Sequence, residues 1–399
     1  MPGVTVAENV LQAIAPCEVV CKLFGLIPLF SGIGLPVWKR CLNAGHFLVT
    51  ISMIIGGIFY CLPMEMSHDA GSSVARKSGA IITVVYYFQP ICATVTSRLI
   101  AGTTYEIFKS LESVDNKLKT IGYGHSSIRE KKAISRSTAC ALAGSSGVLL
   151  MFAAHPLEMD VFFTFVNIFF VVHFSMAGTY ASCVAYLILN RFQVVKDVLS
   201  TKFPICMTAD KDVSIVSKPV IRIEEQEIAL KQVKFVLDKL NSTIELMNQS
   251  LAIQVLYCVG VSFVIGIVCS FYLFRAVIYR NDQLAMGAIN FIWYMYYLSF
   301  VLFFIAIASR ISQEGRRIGI TVHKAINFCN TSRTVINELI IFSQQLLHHN
   351  PVITCGLFVY DWSLLYTMLG ATATYLIILI QFDVSFPSLD VGNSTTSSL

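Results

Sequence analysis

The stretch "CGLFVYDWSLLYTMLGATATYLIILIQF", Cys355 to Phe382, decides the class of fold. From residue 360 onward it is apolar and long enough for a helix that crosses about 30 Å of hydrocarbon at about 1.5 Å per residue. The predicted helix ends on Gln381 and Phe382, after a Thr374–Tyr375 pair. A membrane span tolerates polar groups better at its edge than at its centre, so Gln381 is expected at one surface of the membrane. The next question is which surface this is.

The rest of the chain has the same apolar character. Hydrophobic residues make up 55% and charged residues 13% of the 399 positions, whereas soluble domains carry about a quarter charged residues. The apolar residues form blocks of about 20, without the alternation of barrel strands. We predict an all-α membrane protein with seven transmembrane helices, at 43–62, 79–98, 137–155, 161–188, 251–274, 287–308 and 360–382.

Two segments complicate this count. The third block, 137–155, is the weakest because it is rich in small residues, which allow close helix packing. The stretch "LFGLIPLFSGIGLPV" (Leu23 to Val37) is a rival for an eighth span. Pro28, Pro36 and three glycines interrupt it, so we interpret it as an interfacial or re-entrant lead-in. Residues 1–42 are then the N-terminal segment and this lead-in.

The basic residues predict the orientation. Of the 29 Lys and Arg residues, 25 lie in the N-terminal segment and in every second connection. The positive-inside rule therefore places the N-terminus in the cytoplasm and, after seven crossings, the tail 383–399 outside. This is opposite to a G-protein-coupled receptor. Asn393 in the tail begins a glycosylation triplet, which is usable only on the outer side.

Several chemistries are disfavoured. The cysteines show no disulfide framework or metal-ligand spacing, and no nucleophile–base set, phosphate loop or nucleic-acid patch is visible. We predict no enzyme activity, cofactor, metal or nucleic-acid partner. The predicted spans contain almost no Asp, Glu, Lys or Arg, which disfavours an ion-coupled carrier.

Two cytoplasmic connections are predicted to contain amphipathic helices. In 189–250 and at the first residue of the fifth span, apolar residues recur at helical spacing: Ile228, Val233, Val236, Leu237, Leu240, Ile244, Met247 and Leu251. This helix runs into the fifth span, and a second helix at about 318–347 lies within 309–359. The apolar faces of these two helices must be covered. The two helices could pack against each other, against another subunit or on the lipid headgroups.

The Cys355–Phe382 stretch, with Thr374-Tyr375 followed by Gln381-Phe382, resembles the C-terminal signature of insect gustatory receptors. The segment "CKLFGLIPLF" (Cys21 to Phe30) is similar to the opening pattern of that family. The related insect odorant receptors share the architecture but generally lack this ending, so they are the nearer alternative.

The resemblance implies a ligand-gated, non-selective cation channel in the plasma membrane of chemosensory neurons. Four subunits, identical or different, would meet through a cytoplasmic anchor at 189–250 and 309–359, and each would contribute its seventh helix to one pore. Gln381 and Phe382 would form or border the gate. Helical spacing places Thr374 and Ile378 on one stripe with Gln381, and Tyr375 about 100° away, where it would pack against a neighbouring helix.

The small-molecule ligand is expected to bind among aromatic residues at the outer ends of the second to sixth spans. The candidates are Tyr87, Phe152, Phe170, His173, Tyr272, Trp293 and Tyr297; alternatively, such residues face lipid at the membrane interface. A sugar site needs more polar groups than Glu158, Asp160, Gln89 and Asn290 offer. We therefore favour a bitter or plant-derived tastant. A subunit that requires a co-receptor, a non-channel membrane receptor and a carrier stay open as alternatives.

Overall fold

The computed structural model describes residues 7–32, 34–66, 73–123, 127–153, 161–204, 223–278, 284–329, 331–348 and 350–385. The all-α class is confirmed, because the described residues form helices and one isolated β-bridge between Thr354 and Val359. The helices are α1 (Ala7–Leu23), α2 (Val37–Met66), α3 (Ser73–Leu99), α4 (Ala101–Thr120), α5 (Ser127–Ala153), α6 (Val161–Lys202), α7 (Ile223–Gln249), α8 (Leu251–Ile278), α9 (Leu284–Phe328), α10 (Arg333–His348) and α11 (Trp362–Ser385).

Six helices in the described part of the chain are long and apolar enough to cross a membrane: α2, α3, α6, α8, α9 and α11. They match six of the seven predicted spans. The remaining predicted span lies in α5, which begins with a charged turn containing Arg129, Glu130 and Lys131 and continues with small residues. It packs against α1, α6 and α9, so it belongs to the same bundle.

Two helices continue beyond the predicted spans. α6 and α9 have 42 and 45 residues, about twice the length that hydrocarbon requires, so neither stops near residue 188 or 308. The separate helix predicted at 318–347 is instead the end of α9 followed by α10. The break occurs at Ser332, whose Oγ accepts a hydrogen bond from the backbone N–H of Val335 (3.3 Å) and caps α10.

Two helices were not predicted. α1 precedes the expected lead-in and buries Ala13, Ile14 and Cys17 against α5 and α6. α4 buries Ile107 and Leu111 and packs mainly on α7. The spans were predicted from long blocks of apolar residues. Neither helix contains such a block, because α1 has many small residues and α4 has many charged ones.

α4, α7, α10 and the second halves of α6 and α9 pack into a unit that we call the anchor bundle. Val233, Val236 and Leu240 on α7 are fully buried within this single chain. The apolar face of α7 is therefore covered by α4, α6 and α10 of its own chain. Ile228 is an exception to the predicted face, since 57% of it is exposed. The predicted run into the fifth span is confirmed with one break, at Ser250.

A buried ion cluster joins three helices where the anchor bundle begins. Arg191 of α6 is 1% exposed and binds both oxygens of Asp115 on α4, with Nε–Oδ1 and Nη2–Oδ2 distances of 3.1 and 2.9 Å. Its Nη1 also donates to Glu130 on α5, to which Asn190 Nδ2 donates at 2.7 Å. Because an unpaired buried charge is costly, this arrangement fixes the positions of α4, α5 and α6.

The segment 350–361 connects the anchor bundle to α11 and lies against α9 and the α7–α8 junction. Ser312 donates to the Pro351 carbonyl at 2.8 Å, and Asn248 binds the backbone at Val352 (3.0 Å) and Thr354 (3.1 Å). A Cβ added at Gly315 would lie 2.2 Å from Cγ of Pro351. Glycine at 315 thus permits the close approach through which the anchor bundle holds the start of α11.

Candidate functional site

Two groups of residues are candidates for function, and the first is the outward side of α11. Asp361 caps the start of this helix, since its Oδ1 accepts from the backbone N–H groups of Ser363 (3.0 Å) and Leu364 (3.3 Å). The helix then contacts α8, α3 and α9 along one side only, where Met368 is buried. Only 6% of its apolar stretch is buried within the chain, compared with 61% for α6 and α8.

The predicted stripe of Thr374, Ile378 and Gln381 lies on the opposite, exposed side of α11, whereas Phe382 follows Tyr375 by seven residues and lies on the side of Tyr375. Thr374, Ile378 and Gln381 are exposed, and 52% of Phe382 is exposed. The hydroxyl of Thr374 donates to the Gly370 carbonyl (3.0 Å), which satisfies its hydrogen-bonding need inside the helix. Tyr375 is half exposed and its ring meets Phe263 of α8 edge-on, with centroids 6.1 Å apart.

An ion pair lies directly beside Phe382. Asp383 is buried, and its Oδ2 lies 3.1 Å from Nε of Arg275 at the end of α8. The pair ties the end of α11 to α8. Sequence reasoning missed it, although an acidic residue directly after the span and a basic residue in a connection with few charges were available as a signal.

The second candidate is a set of rings from α3, α6 and α9, which we call the aromatic cluster. Its members are Tyr86, Tyr87, Phe169, Phe170, His173, Phe174, Trp293 and Tyr297. Ring centroids lie 5.6 Å apart for Tyr87 and Phe170, and 5.4 Å apart for Trp293 and Tyr297. Tyr86 joins these two pairs, at 6.0 Å from Phe170 and 5.3 Å from Trp293.

The aromatic cluster contains five of the seven predicted ligand residues. Tyr272 lies at the edge of the same core, where its hydroxyl donates to the Ala75 carbonyl at 2.9 Å. Phe152 is in the last turn of α5, but its side chain is outside the described residues, as are Glu158, Asp160 and Asn393. Sequence reasoning missed Phe174, which stacks on Tyr297 at 3.9 Å and follows Phe170 by one helical turn.

Buried polar atoms accompany these rings. Gln89 on α3 is 1% exposed, and within the described residues neither atom of its amide has a hydrogen-bond partner. His173 is fully buried; its Nε2 lies 2.9 Å from Thr94 Oγ1, while its Nδ1 has no partner in the same part of the chain. Since buried polar groups are nearly always hydrogen-bonded, these atoms can bind a polar group on an apolar guest.

Comparison with known proteins places the chain among chemosensory receptors. A family model described as 7tm chemosensory receptor matches residues 16–386. With α5, the six apolar helices give the seven that this description names, so the predicted number of spans is confirmed. In Drosophila melanogaster, the protein named gustatory receptor 28a is 27% identical over 45% of this chain, and gustatory receptor for bitter taste 66a is 33% identical over 25%. The chain covers 41% and 19% of the length of these two relatives.

The fold is similar to that of a solved receptor. The olfactory receptor OR5 from Machilis hrabei, in complex with eugenol, superposes with a TM-score of 0.61 over 94% of this chain and 99% of its own. A second structure of OR5, for which no ligand is named, superposes with a TM-score of 0.63. At 12% identity, the likeness concerns the fold.

Proposed function

Because the chain belongs to the 7tm chemosensory receptor family, we propose that it is a gustatory receptor that opens a cation-conducting pore when a small-molecule tastant binds. It would act in the plasma membrane of chemosensory neurons, with the N-terminus and the anchor bundle in the cytoplasm. Its partners would be the bilayer, the tastant and further receptor subunits.

The exposure of α11 is the observation that carries the channel proposal. Most of its surface is left uncovered by the described residues of its own chain, although the connecting segment and the Arg275–Asp383 pair hold both of its ends. In our proposal, four chains place their α11 helices around one axis, with Thr374, Ile378 and Gln381 towards it. Four Phe382 rings would then close the mouth by excluding water, and Gln381 would replace part of the hydration of a passing ion.

The aromatic cluster supports an apolar aromatic tastant over a sugar. It consists of aromatic rings, and the polar atoms that lack partners among the described residues include the Gln89 amide, His173 Nδ1 and the Tyr297 hydroxyl. Apolar pockets with a few placed polar groups bind guests of this kind. Two relatives agree with this chemistry: the OR5 complex contains eugenol, a small aromatic phenol, and one matched gustatory receptor is named for bitter taste.

The experiment is whole-cell recording from cells that express the chain alone, with eugenol as an aromatic probe and sucrose as a sugar probe. We expect a cation current with the aromatic probe. Current only after addition of a co-expressed subunit would favour the odorant-receptor-like alternative. Absence of current in both conditions, at verified surface expression, would favour a non-channel receptor or carrier and overturn the proposal.

A substitution tests the ligand site separately. Gln89→Leu keeps the size of the side chain and removes an amide that has no partner among the described residues, so the folded protein should not lose a contact. Loss of a hydrogen bond to the ligand should raise the half-maximal eugenol concentration about tenfold.

Gln254→Leu is the matched control, because the Gln254 amide is also buried but donates to Ser97 Oγ at 3.1 Å. It should reduce the amount of receptor at the surface and leave the half-maximal concentration unchanged. Equal potency in wild type and Gln89→Leu would remove Gln89 from the site.

A further inference from the structure

A pair of adjoining cavities lies away from the aromatic cluster, beneath the loop that joins α1 to α2. The cavities have volumes of about 340 and 360 Å³ and share Pro28, Phe30, Ser31, Leu35 and Ala101 as lining residues. The loop is held in place, since Asn43 exchanges two hydrogen bonds with the backbone of Phe30, at 3.0 and 2.9 Å. The walls are mostly apolar, and we call this space the loop cavity.

Basic side chains converge on the loop cavity. Lys22, Lys39 and Arg98 line it, while Glu18 is the one carboxylate among its described lining residues. Glu18 is already engaged, because it pairs with Lys22 at 2.7 Å. Lys39 Nζ lies 5.2 Å from the centre of the Phe30 ring, which holds its charge near the opening. The loop cavity therefore has an excess of positive charge.

Arg98 is the group whose environment is least complete. It lies in the last turn of α3 and is partly buried. Its guanidinium contacts His46 Nδ1 (2.8 Å) and the Gly25 carbonyl (3.4 Å), yet its Nε has no hydrogen-bond partner, and no carboxylate lies within 4.0 Å, among the described residues. A partly buried cation without a counter-ion is unfavourable, and an anion in the loop cavity would compensate it.

The surroundings place the loop cavity at the membrane surface. Leu23, Val37 and Trp38 beside it are 78%, 71% and 58% exposed, and exposed tryptophan beside lysine is typical of the headgroup layer. The distribution of basic residues predicts that this is the cytoplasmic layer. An inner-leaflet lipid would thus reach the opening with its headgroup while its chains stay in the bilayer.

We propose that the loop cavity binds the headgroup of a phosphoinositide, an inner-leaflet phospholipid with several phosphate groups. Lys39 and Arg98, which Glu18 does not neutralise, match a headgroup that carries more than one negative charge, and basic pockets at the cytoplasmic ends of helices bind such lipids. The apolar walls formed by Pro28, Leu35 and Phe47 accommodate the glycerol region and the first carbons of the chains. Lipid binding can be measured directly, whether or not the chain conducts ions.

The test is fluorescence polarisation of a labelled short-chain phosphatidylinositol 4,5-bisphosphate with the purified full chain in detergent. We expect saturable binding that unlabelled phosphatidylcholine does not displace and that phosphatidylserine displaces weakly. Lys39→Gln with Arg98→Gln should weaken binding roughly 25-fold, because each basic residue contributes about fivefold. Lys131→Gln with Lys132→Gln is the matched control: both residues are exposed on α5, and binding should be unchanged.

Three results would overturn the proposal: equal affinity of the wild type and the Lys39/Arg98 variant, equal loss in the α5 control, or equal displacement by phosphatidylcholine. If soluble inositol trisphosphate displaced the probe as strongly as the unlabelled lipid, the ligand of the loop cavity would be a soluble anion and not a lipid. If the Arg98 change prevents folding, Lys22→Gln with Lys39→Gln gives the same test, and Arg98→Lys should keep most of the affinity.

Discussion

The anchor bundle and α11 are both rich in apolar residues, but they cover them differently. In the anchor bundle, Val233, Val236 and Leu240 are completely buried by helices of the same chain. On α11, large side chains such as Tyr366, Ile377 and Phe382 are each more than half exposed. The core of the anchor bundle is formed within a single chain, although Ile341 and Leu347 at its surface are 49% and 73% exposed. On α11, by contrast, the described residues of the same chain leave most of the apolar surface uncovered.

This difference separates stability from function. Buried apolar area is the main source of folding free energy, so substitutions in the anchor bundle should act on the amount of folded protein. A side chain exposed in the single chain contributes little to that free energy. In our proposal, substitutions on the outward side of α11 therefore change gating and conductance at nearly constant stability.

The largest effect is expected in the anchor bundle. Val236→Asp with Leu240→Asp places two carboxylates in a fully buried position, at a cost of several kcal/mol each, which compares with a total stability of about 5–15 kcal/mol. We expect almost no folded receptor by fluorescence-detected size-exclusion chromatography.

Ile228→Asp on the same helix is the control, because Ile228 is 57% exposed and surface changes usually cost less than about 0.5 kcal/mol. If the double variant folded, the apolar face of α7 would not be part of the buried core of the anchor bundle. Loss of oligomers alone in Ile228→Asp would identify its surroundings as a contact between chains.

An intermediate effect, on gating, is expected at the end of α11. Phe382→Ala removes a ring that is 52% exposed in the chain and, in the proposed tetramer, four rings from the mouth. Closed and open states differ by a few kcal/mol, which is within what truncation of a packed Phe costs, so basal cation leak should rise. Gln381→Ala should instead alter conductance or ion selectivity.

Patch-clamp recording at matched surface expression measures both effects. Tyr366→Ala, at the opposite end of α11 and 71% exposed, is the control and should leave the basal leak unchanged. If basal current, conductance and selectivity were unaltered in both Phe382→Ala and Gln381→Ala, the gate would have to lie elsewhere.

The smallest effect is expected at the rim of the anchor bundle, where Lys234 of α7 pairs with Glu338 of α10. The hydrogen bond and charge of Lys234 lower the pKa of Glu338 from its usual 4.5. The carboxylate therefore stabilises the fold at pH values above 4.5, and this contribution is lost as the pH falls through the lowered pKa. Glu338 is nearly half exposed, so the pair is worth little.

We expect Glu338→Gln to lower the melting temperature of the purified chain slightly at pH 7. The difference from wild type should shrink as the pH falls below 4.5. A difference that stays constant with pH would assign the effect to packing instead of charge.

Pattern in the sequence predicted several features of the fold. Blocks of apolar residues located six spans that the structure contains, and helical spacing located α7 and most of its buried face. The same methods missed α1 and α4, whose apolar stripes are short or mixed with charges. Counting basic residues also treated Arg191 as one more loop charge, although it is 1% exposed and bound to Asp115 and Glu130. These partners lie 76 and 61 positions away, so no local pattern reveals them.

For the candidate site, the sequence determined which residues share a helix face, because that depends only on spacing along one helix. It placed Thr374, Ile378 and Gln381 on one stripe and selected most of the aromatic cluster. Only the tertiary structure decided what covers each face. Apolar burial is non-directional, so an apolar stripe is equally compatible with lipid, a helix of the same chain or a second chain. Long-range packing assigned the α7 face to its own chain and left the outward side of α11 open.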